Sequence, residues 1–439
     1  MRPSSPRPRR ASAEAVLTDH NREGFKVPRI YYGWAVVTAT IITYTLIMGA
    51  TYSSYGLFVL PISKDLGLSR ANANTGIIIM NLGMMMQAPL LGMLLDRVPA
   101  RRIMILSSLL FIASFAVLAR SHSFWVNGAV LALSLPFAFK GAGSLTAPLL
   151  IVRWFTVQRG RALAISQLGL SLGGLLLPPV VAALIEHQGW RNALLVTGAS
   201  CGALLLAISL VLRERPGPND REPGAVLPAA ASERPVARGP GPVKIGAILR
   251  TSQFWTINLS CGLVAAMSSA LLITLAPLAR EEGLSMMQAA SLVSVMSGFS
   301  IASMLLLALV ADRIDRIVLL TILFVVGSAF SLTLTVSHTY ALLVSAAAAM
   351  GLIQGATVPT QYALLADRFG AASYGVVTGL TVPLVAGLGM ITIRYGGEVF
   401  DRTGDYGALF MTFAVLQLVA AGTIFVTRFT RARAALATP

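Results

Sequence analysis

Charge is the scarcest property of this sequence. Only 12% of its 439 residues are charged, with 18 Asp and Glu against 34 Lys and Arg. Soluble domains carry roughly 25%. The deficit excludes a soluble protein with a large core, because 55% of the chain is hydrophobic and mean hydropathy is +0.74. Cysteine is scarce too. Cys201 and Cys261 both fall inside apolar stretches. They read as small packing residues and imply no disulfide framework. The four histidines (His20, His122, His187, His338) fall in tails or at the edges of apolar runs. No spacing of His, Cys, Asp or Glu resembles a metal site, and no nucleophile–base pair stands out, which argues against an enzyme. Nothing in the chain requires a cofactor.

What is abundant is apolar length. Runs near the roughly 20 residues needed to cross a bilayer recur throughout. The expected spans are 31–60, 72–95, 102–120, 124–152, 161–186, 191–212, 253–279, 287–311, 317–336, 339–366, 372–399 and 406–428. Lipid offers backbone groups no hydrogen-bond partner, so each run must be helical. Residues 1–30 are basic and rich in proline, and the first apolar run ends in Leu60-Pro61 without a small-residue cleavage site. That pattern reads as a disordered tail and not a cleaved signal peptide.

The net charge of +16 invites a nucleic-acid reading. Its distribution points elsewhere. With the N-terminus inside, the tails and alternate loops hold 26 of the 34 Lys and Arg, and the opposite side holds six. Basic residues gather on the cytoplasmic side of membrane proteins, so both termini are expected in the cytoplasm and no nucleic acid is needed.

The segment 213–250 is rich in Pro, Gly, Ala and Arg and cannot build a core, so it reads as a flexible linker. It divides the chain into a tail (1–30), a first six-helix bundle (31–212), the linker, a second bundle (251–429) and a short tail (430–439). The bundles echo each other. Leu95-Asp96-Arg97 and Ala311-Asp312-Arg313 lie 216 residues apart. Arg153-Trp154-Phe155 and Arg368-Phe369 lie 215 apart, as do the openings Gly189-Trp190-Arg191-Asn192-Ala193-Leu194 and Gly404-Asp405-Tyr406-Gly407-Ala408-Leu409. A constant offset marks a duplicated unit, typical of carriers that rock about a central site.

The stretch Gly92-Met-Leu-Leu-Asp96-Arg97-Val-Pro-Ala-Arg101-Arg102 resembles the signature of the major facilitator superfamily between its second and third spans. The resemblance implies an all-α membrane fold of twelve helices in two pseudo-symmetric bundles. It also implies a conformational lock that stabilises the outward-facing state, made by Gly92, Asp96, Arg97, Arg101, Arg102 and Arg153 with the second-half copy Asp312 and Arg313. In that lock Gly92 permits close helix approach and the basic residues tie the cytoplasmic ends together. Tyr31-Tyr32-Gly33-Trp34, Tyr55-Gly56-Leu57-Phe58, Leu68-Ser69-Arg70-Ala71, Arg159-Gly160-Arg161-Ala162 and Phe400-Asp401-Arg402-Thr403-Gly404 together resemble the bacterial monocarboxylate-porter and oxalate/formate-antiporter branch. That branch implies a secondary transporter of small organic anions in the bacterial inner membrane; a monomer is expected, with the oligomeric state left open. One departure stands out. The branch usually places an arginine in the eighth span, where this chain has Ser303-Met304-Leu305-Leu306.

Two cations fall inside spans, Lys140 in the fourth and Arg394 in the eleventh. Ionisable groups at bilayer depth cost about 2.5–3.5 kcal/mol on insertion scales, so they mark function by default. No acid lies equally deep. The expectation is an anion-preferring chamber in which Lys140 and Arg394, one from each half, clamp a carboxylate. Snorkelling or a structural contact is the competing role for each. Tyr52 and Tyr55 in the first span, Ser144 one turn beyond Lys140, Asn258 in the seventh, and Gln354 and Gln361 in the tenth complete the expected lining. Interhelical packing is the competing role for all six. An exporter of drugs or other amphipathic compounds on the same fold is the alternative function, with the methionine cluster Met84-Met85-Met86 in its favour. Direction, coupling ion and exact substrate stay open.

Overall fold

Helix boundaries in this chain fall where a residue changes the backbone or caps it. The computed structural model describes residues 31–155, 158–217, 220, 222, 245–310, 314–336 and 339–428. The tail 1–30, Asp312, Arg313, most of the linker and residues 430–439 lie outside the described residues, as does the side chain of Asp96. Eleven apolar helical segments are long enough to cross a membrane. They include α1 (Tyr32–Leu66), α2 (Arg70–Leu95), α3 (Ala100–Arg120) and α4 (Phe124–Trp154). The 51-residue segment Arg161–Val211 holds two crossings, α5 and α6, because Gly189 (φ 77, ψ 162) breaks it into 161–188 and 190–211. The second half supplies α7 (Ser252–Glu281), α8 (Met286–Leu307), α9 (Arg316–Thr333), α10 (Tyr340–Phe369), α11 (Val376–Thr403) and α12 (Gly407–Val426). Among the described residues twelve crossings result, as the sequence predicts.

α1 was expected to stop at Leu60-Pro61, yet it runs through Pro61 and ends at Gly67. A proline removes one intrahelical bond, whereas Gly67 takes a left-handed conformation (φ 62, ψ 31) that turns the chain. Ser69 then starts α2 by accepting from the Asn72 N–H at 3.2 Å. Helix continues without a break from Tyr340 to Thr403. The chain must still reverse between α10 and α11. Gln361 and Thr381 both donate to the same oxygen of Asn258, at 3.0 and 2.7 Å. A straight helix would hold residues that far apart in sequence about 30 Å from each other.

The two halves pack by one rule. In the first half, glycines bring α5 against α1 (Gly169 on Ile41, Gly173 on Gly49), α2 against α4 (Gly83 on Ala132) and α6 against α3 (Gly198 on Phe115). In the second, the counterparts are α7 on α11 (Gly262 on Val385), α10 on α8 (Gly351 on Met296) and α9 on α12 (Gly327 on Gln417). Each pair in the second half is its first-half pair displaced by six helices. Small residues permit this approach where lipid gives no hydrophobic drive to pack helices together.

Of the expected linker, residues 213–217, 220, 222 and 245–250 are described. Its opening residues lie against the first half: Trp154 Nε1 donates to the Arg213 carbonyl at 3.0 Å, and the Gln158 N–H donates to buried Glu222 at 2.7 Å. A composition poor in core-forming residues does not exclude that a segment has a surface to lie on.

Candidate functional site

Three stretches of the spans are wound wider than an α-helix: Gly49–Ser53 in α1, and Val130–Ser134 and Lys140–Ser144 in α4. In the last, the Leu145 N–H reaches back five residues to the Lys140 carbonyl at 3.1 Å. Such turns recur at functional sites because they shift which side chains face a neighbour. Lys140 opens this turn near the middle of α4 and is half-buried. Among the described residues its ammonium has no ion pair and no hydrogen bond. The Ser144 hydroxyl, at the other end of the turn, is buried with no partner among the described residues. Beside them, the Tyr52 ring meets Phe139 edge-on at 5.7 Å and its hydroxyl donates to the Asn81 side-chain oxygen. Among the described residues, the first half thus carries a cation and a hydroxyl without partners on one wide turn of α4, and Phe139, next to Lys140 in the chain, meets the Tyr52 ring. From the second half, Gln354 lies near the middle of α10, half-buried and without a hydrogen-bond partner among the described residues. α10 is the repeat counterpart of α4.

Other expected lining residues are placed differently. Asn258 and Gln361 are 0% and 3% exposed, and the Asn258 oxygen accepts from both Gln361 and Thr381, closing α7, α10 and α11 into a knot. They face one another and leave no surface to a ligand in this conformation. Tyr55 donates to the Ala73 carbonyl at 2.6 Å and lines an apolar cavity of about 140 Å³ within the first half, together with Asn72, Asn127 and Trp190.

Arg394 is the main correction. Its guanidinium donates to the Ala71 carbonyl at 3.0 Å and to the Thr75 hydroxyl at 2.9 Å, both in α2, and Glu398 stands 3.5 Å away. It is not an uncompensated cation. Residues four apart share a helix face, so Glu398 is its natural partner. It braces the two halves near the end remote from the chain termini, away from Lys140.

That far end is where the halves meet. Between described residues, every hydrogen bond and ion pair joining the halves lies from mid-helix to the far end. Arg70, at the start of α2, is 7% exposed. It forms an ion pair with Glu281 of α7, donates to the Tyr406 hydroxyl at 2.8 Å and stacks 3.6 Å from the centre of the Phe400 ring. Both oxygens of Asp401 cap α2, accepting from the Arg70 and Ala71 N–H groups at 2.9 Å each. Burial pushes the Tyr406 hydroxyl above its ordinary range, outweighing the lowering pull of Arg70, so it stays neutral. The sequence reading left these residues without a role. The signal was present: Arg70, Glu281 and Asp401 are opposite charges left on the side where charge is scarcest.

At the termini end the halves part. A cleft of about 430 Å³ separates Ile165 and Leu168 of α5 from Met304 and Leu305 of α8 and Pro359 of α10. Asp312, Arg313 and the Asp96 side chain of the expected lock lie outside the described residues, and its described members make no hydrogen bond or ion pair to a described residue of the second half. A Cβ at Gly92 would meet nothing within 4 Å, so the close approach expected of it is not made. Arg97 and Arg102 are exposed. Arg101 donates its backbone N–H to Glu214 in the linker, and Arg153 lies 3.7 Å from the same carboxylate.

Among the described residues, twelve apolar crossings in two repeated bundles, joined at one end and with a cleft between them at the other, define the architecture of a membrane carrier. The family model of the Major Facilitator Superfamily matches residues 40–393, and the chain belongs to that superfamily. It is 29% identical over 175 residues to an uncharacterized MFS-type transporter, YcxA of Bacillus subtilis, covering 40% of this chain and 43% of that protein. It is also 29% identical over 283 residues to human monocarboxylate transporter 11, covering 61% of this chain and 56% of the relative. The chain thus matches about half the length of these relatives. Among solved structures, a bacterial homolog to the human lysosomal transporter Spinster, in an inward-facing and unoccupied conformation, superposes with TM-score 0.69. That match is 17% identical and covers 90% of this chain and 96% of the other.

Proposed function

We propose that this protein is a secondary transporter that carries a small organic anion, a mono- or dicarboxylate, across the bacterial inner membrane by alternating access. With both termini in the cytoplasm, the conformation described is inward-facing: shut outside, open inside. The observation that carries the reading is Lys140. A cation at bilayer depth with no partner among the described residues is costly, and a passenger carboxylate would supply the missing charge. Ser144 would donate a hydrogen bond to it, Tyr52 would wall the chamber, and Gln354 would offer its amide from the opposite half. The monocarboxylate-transporter relatives support the substrate class.

The test is counterflow in proteoliposomes with labelled mono- and dicarboxylates, with and without a pH gradient. Lys140→Ala should abolish exchange, and Lys140→Arg should keep a measurable fraction of it. Wild-type exchange by Lys140→Ala would remove the site. Exchange of amphipathic cations in place of carboxylates would turn the assignment to the exporter alternative.

A further inference from the structure

We propose that the far mouth is closed by a charge latch on Arg70, and that this latch, seated on three glycine contacts, sets how often the carrier opens outward. The proposal rests on the carrier reading but not on the identity of the cargo.

Among the described residues, all of the side chains that hold Arg70 belong to the opposite half: Glu281 of α7, Phe400 of α11 and Tyr406 just before α12. Asp401, also from that half, takes the first two N–H groups of α2, where the helix dipole favours an anion. One carboxylate thus caps the helix while the other neutralises the buried guanidinium. Both interactions vanish if the halves part by a few ångströms, and none has a substitute on the first half in this structure. Glu281 is partly open to water but the Arg70 guanidinium is buried, so parting them leaves the arginine uncompensated until water reaches it, and the latch resists the first step of opening and releases once wetted.

Beneath the latch the halves touch at glycines on three helix pairs. A Cβ at Gly56 of α1 would stand 2.6 Å from the Ile273 carbonyl oxygen of α7. One at Gly397 of α11 would stand 2.7 Å from the Ala71 Cα of α2. One at Gly174 of α5 would collide with the Ser297 side chain of α8, beside the 2.9 Å bond from Ser294 to the Leu175 carbonyl. No side chain fits at these points while the mouth is shut. Packed contacts of this kind are bistable, so the latch above them decides between closed and open.

The experiment reads opening without transport. In a Cys201→Ser, Cys261→Ser background, Ser297→Cys places a thiol at the α5–α8 contact, buried while the mouth is shut. Labelling with a membrane-impermeant maleimide from the far side should be slow. Arg70→Ala should speed it on the order of tenfold. Glu281→Gln, which keeps shape and hydrogen-bonding capacity, should speed it too. Gly397→Val should do the same without altering any charge. Lys64→Ala, which removes a nearby far-side charge outside the network, should leave the rate unchanged. Background-rate labelling in both Arg70→Ala and Glu281→Gln overturns the latch, whatever the transported molecule proves to be.

Discussion

Single residues decide what the membrane interior tolerates here, and the two embedded cations show two solutions. Arg394 is satisfied by Glu398, Ala71 and Thr75. Lys140 has no partner among the described residues. Substrate affinity should separate them. Lys140→Ala should weaken binding of a carboxylate by at least about tenfold, the loss of one charge-assisted contact. Arg394→Ala should leave affinity within about twofold, because it removes a brace between halves and no contact to the cargo. Equilibrium binding to detergent-solubilised protein measures both. The sequence contained the clue for Arg394 in the four-residue spacing to Glu398, but depth alone does not say which way a side chain faces. The same limit applies to Asn258 and Gln361. Polar residues on spans are equally suited to a chamber or to a knot, and only the fold pairs them. Asn258→Ala would strip the acceptor from the buried Gln361 amide, while Thr381 keeps the Val377 carbonyl at 2.9 Å. The expected cost is about 1–2 kcal/mol, seen as a lower unfolding temperature in detergent, with exchange activity retained.

At the level of helices, backbone conformation separates positions that look alike in sequence. Gly67 and Gly189 both end a crossing, and a Cβ at either would meet nothing. Gly67 is left-handed helical (φ 62, ψ 31), a conformation asparagine also adopts. Gly189 (φ 77, ψ 162) lies where only glycine is at ease. Gly67→Asn should therefore be nearly neutral, and Gly189→Ala should cost about 1–3 kcal/mol through the backbone alone. Chemical denaturation of the two purified variants makes the comparison. Most crossings were legible in the sequence to within a few residues, because bilayer thickness dictates the length of an apolar run. The wide turns at Gly49–Ser53 and Lys140–Ser144 were not legible. They have no residue signature and arise from the fit between neighbouring helices. The docking of Glu222 on α5 was hidden for a related reason: it depends on a surface that exists only after the first bundle has folded.

For the molecule as a whole, the two ends are in opposite states, and that gives Gly92 a meaning its surroundings do not show. The resemblance assigns it to a close approach at the termini end, yet nothing lies within 4 Å of a Cβ placed there. The two facts agree if the approach forms only when that end shuts and the latch on Arg70 lets go. A side chain at Gly92 is then free of cost in the conformation described and obstructive in the other. Gly92→Val should leave the unfolding temperature unchanged, within the roughly ±0.5 kcal/mol usual for a surface substitution. It should leave carboxylate binding from the termini side intact. Exchange across the membrane should still fall on the order of tenfold, because one end can no longer close. The thiol at Ser297→Cys should label more slowly from the far side in this background, opposite in sign to Gly397→Val. The two glycines would then act as wedges at opposite ends of one rocking body, which is the behaviour two repeated bundles about a central cation require. Unimpaired exchange in Gly92→Val would show that the termini end shuts through other residues, and would leave the far-end seal standing on its own contacts.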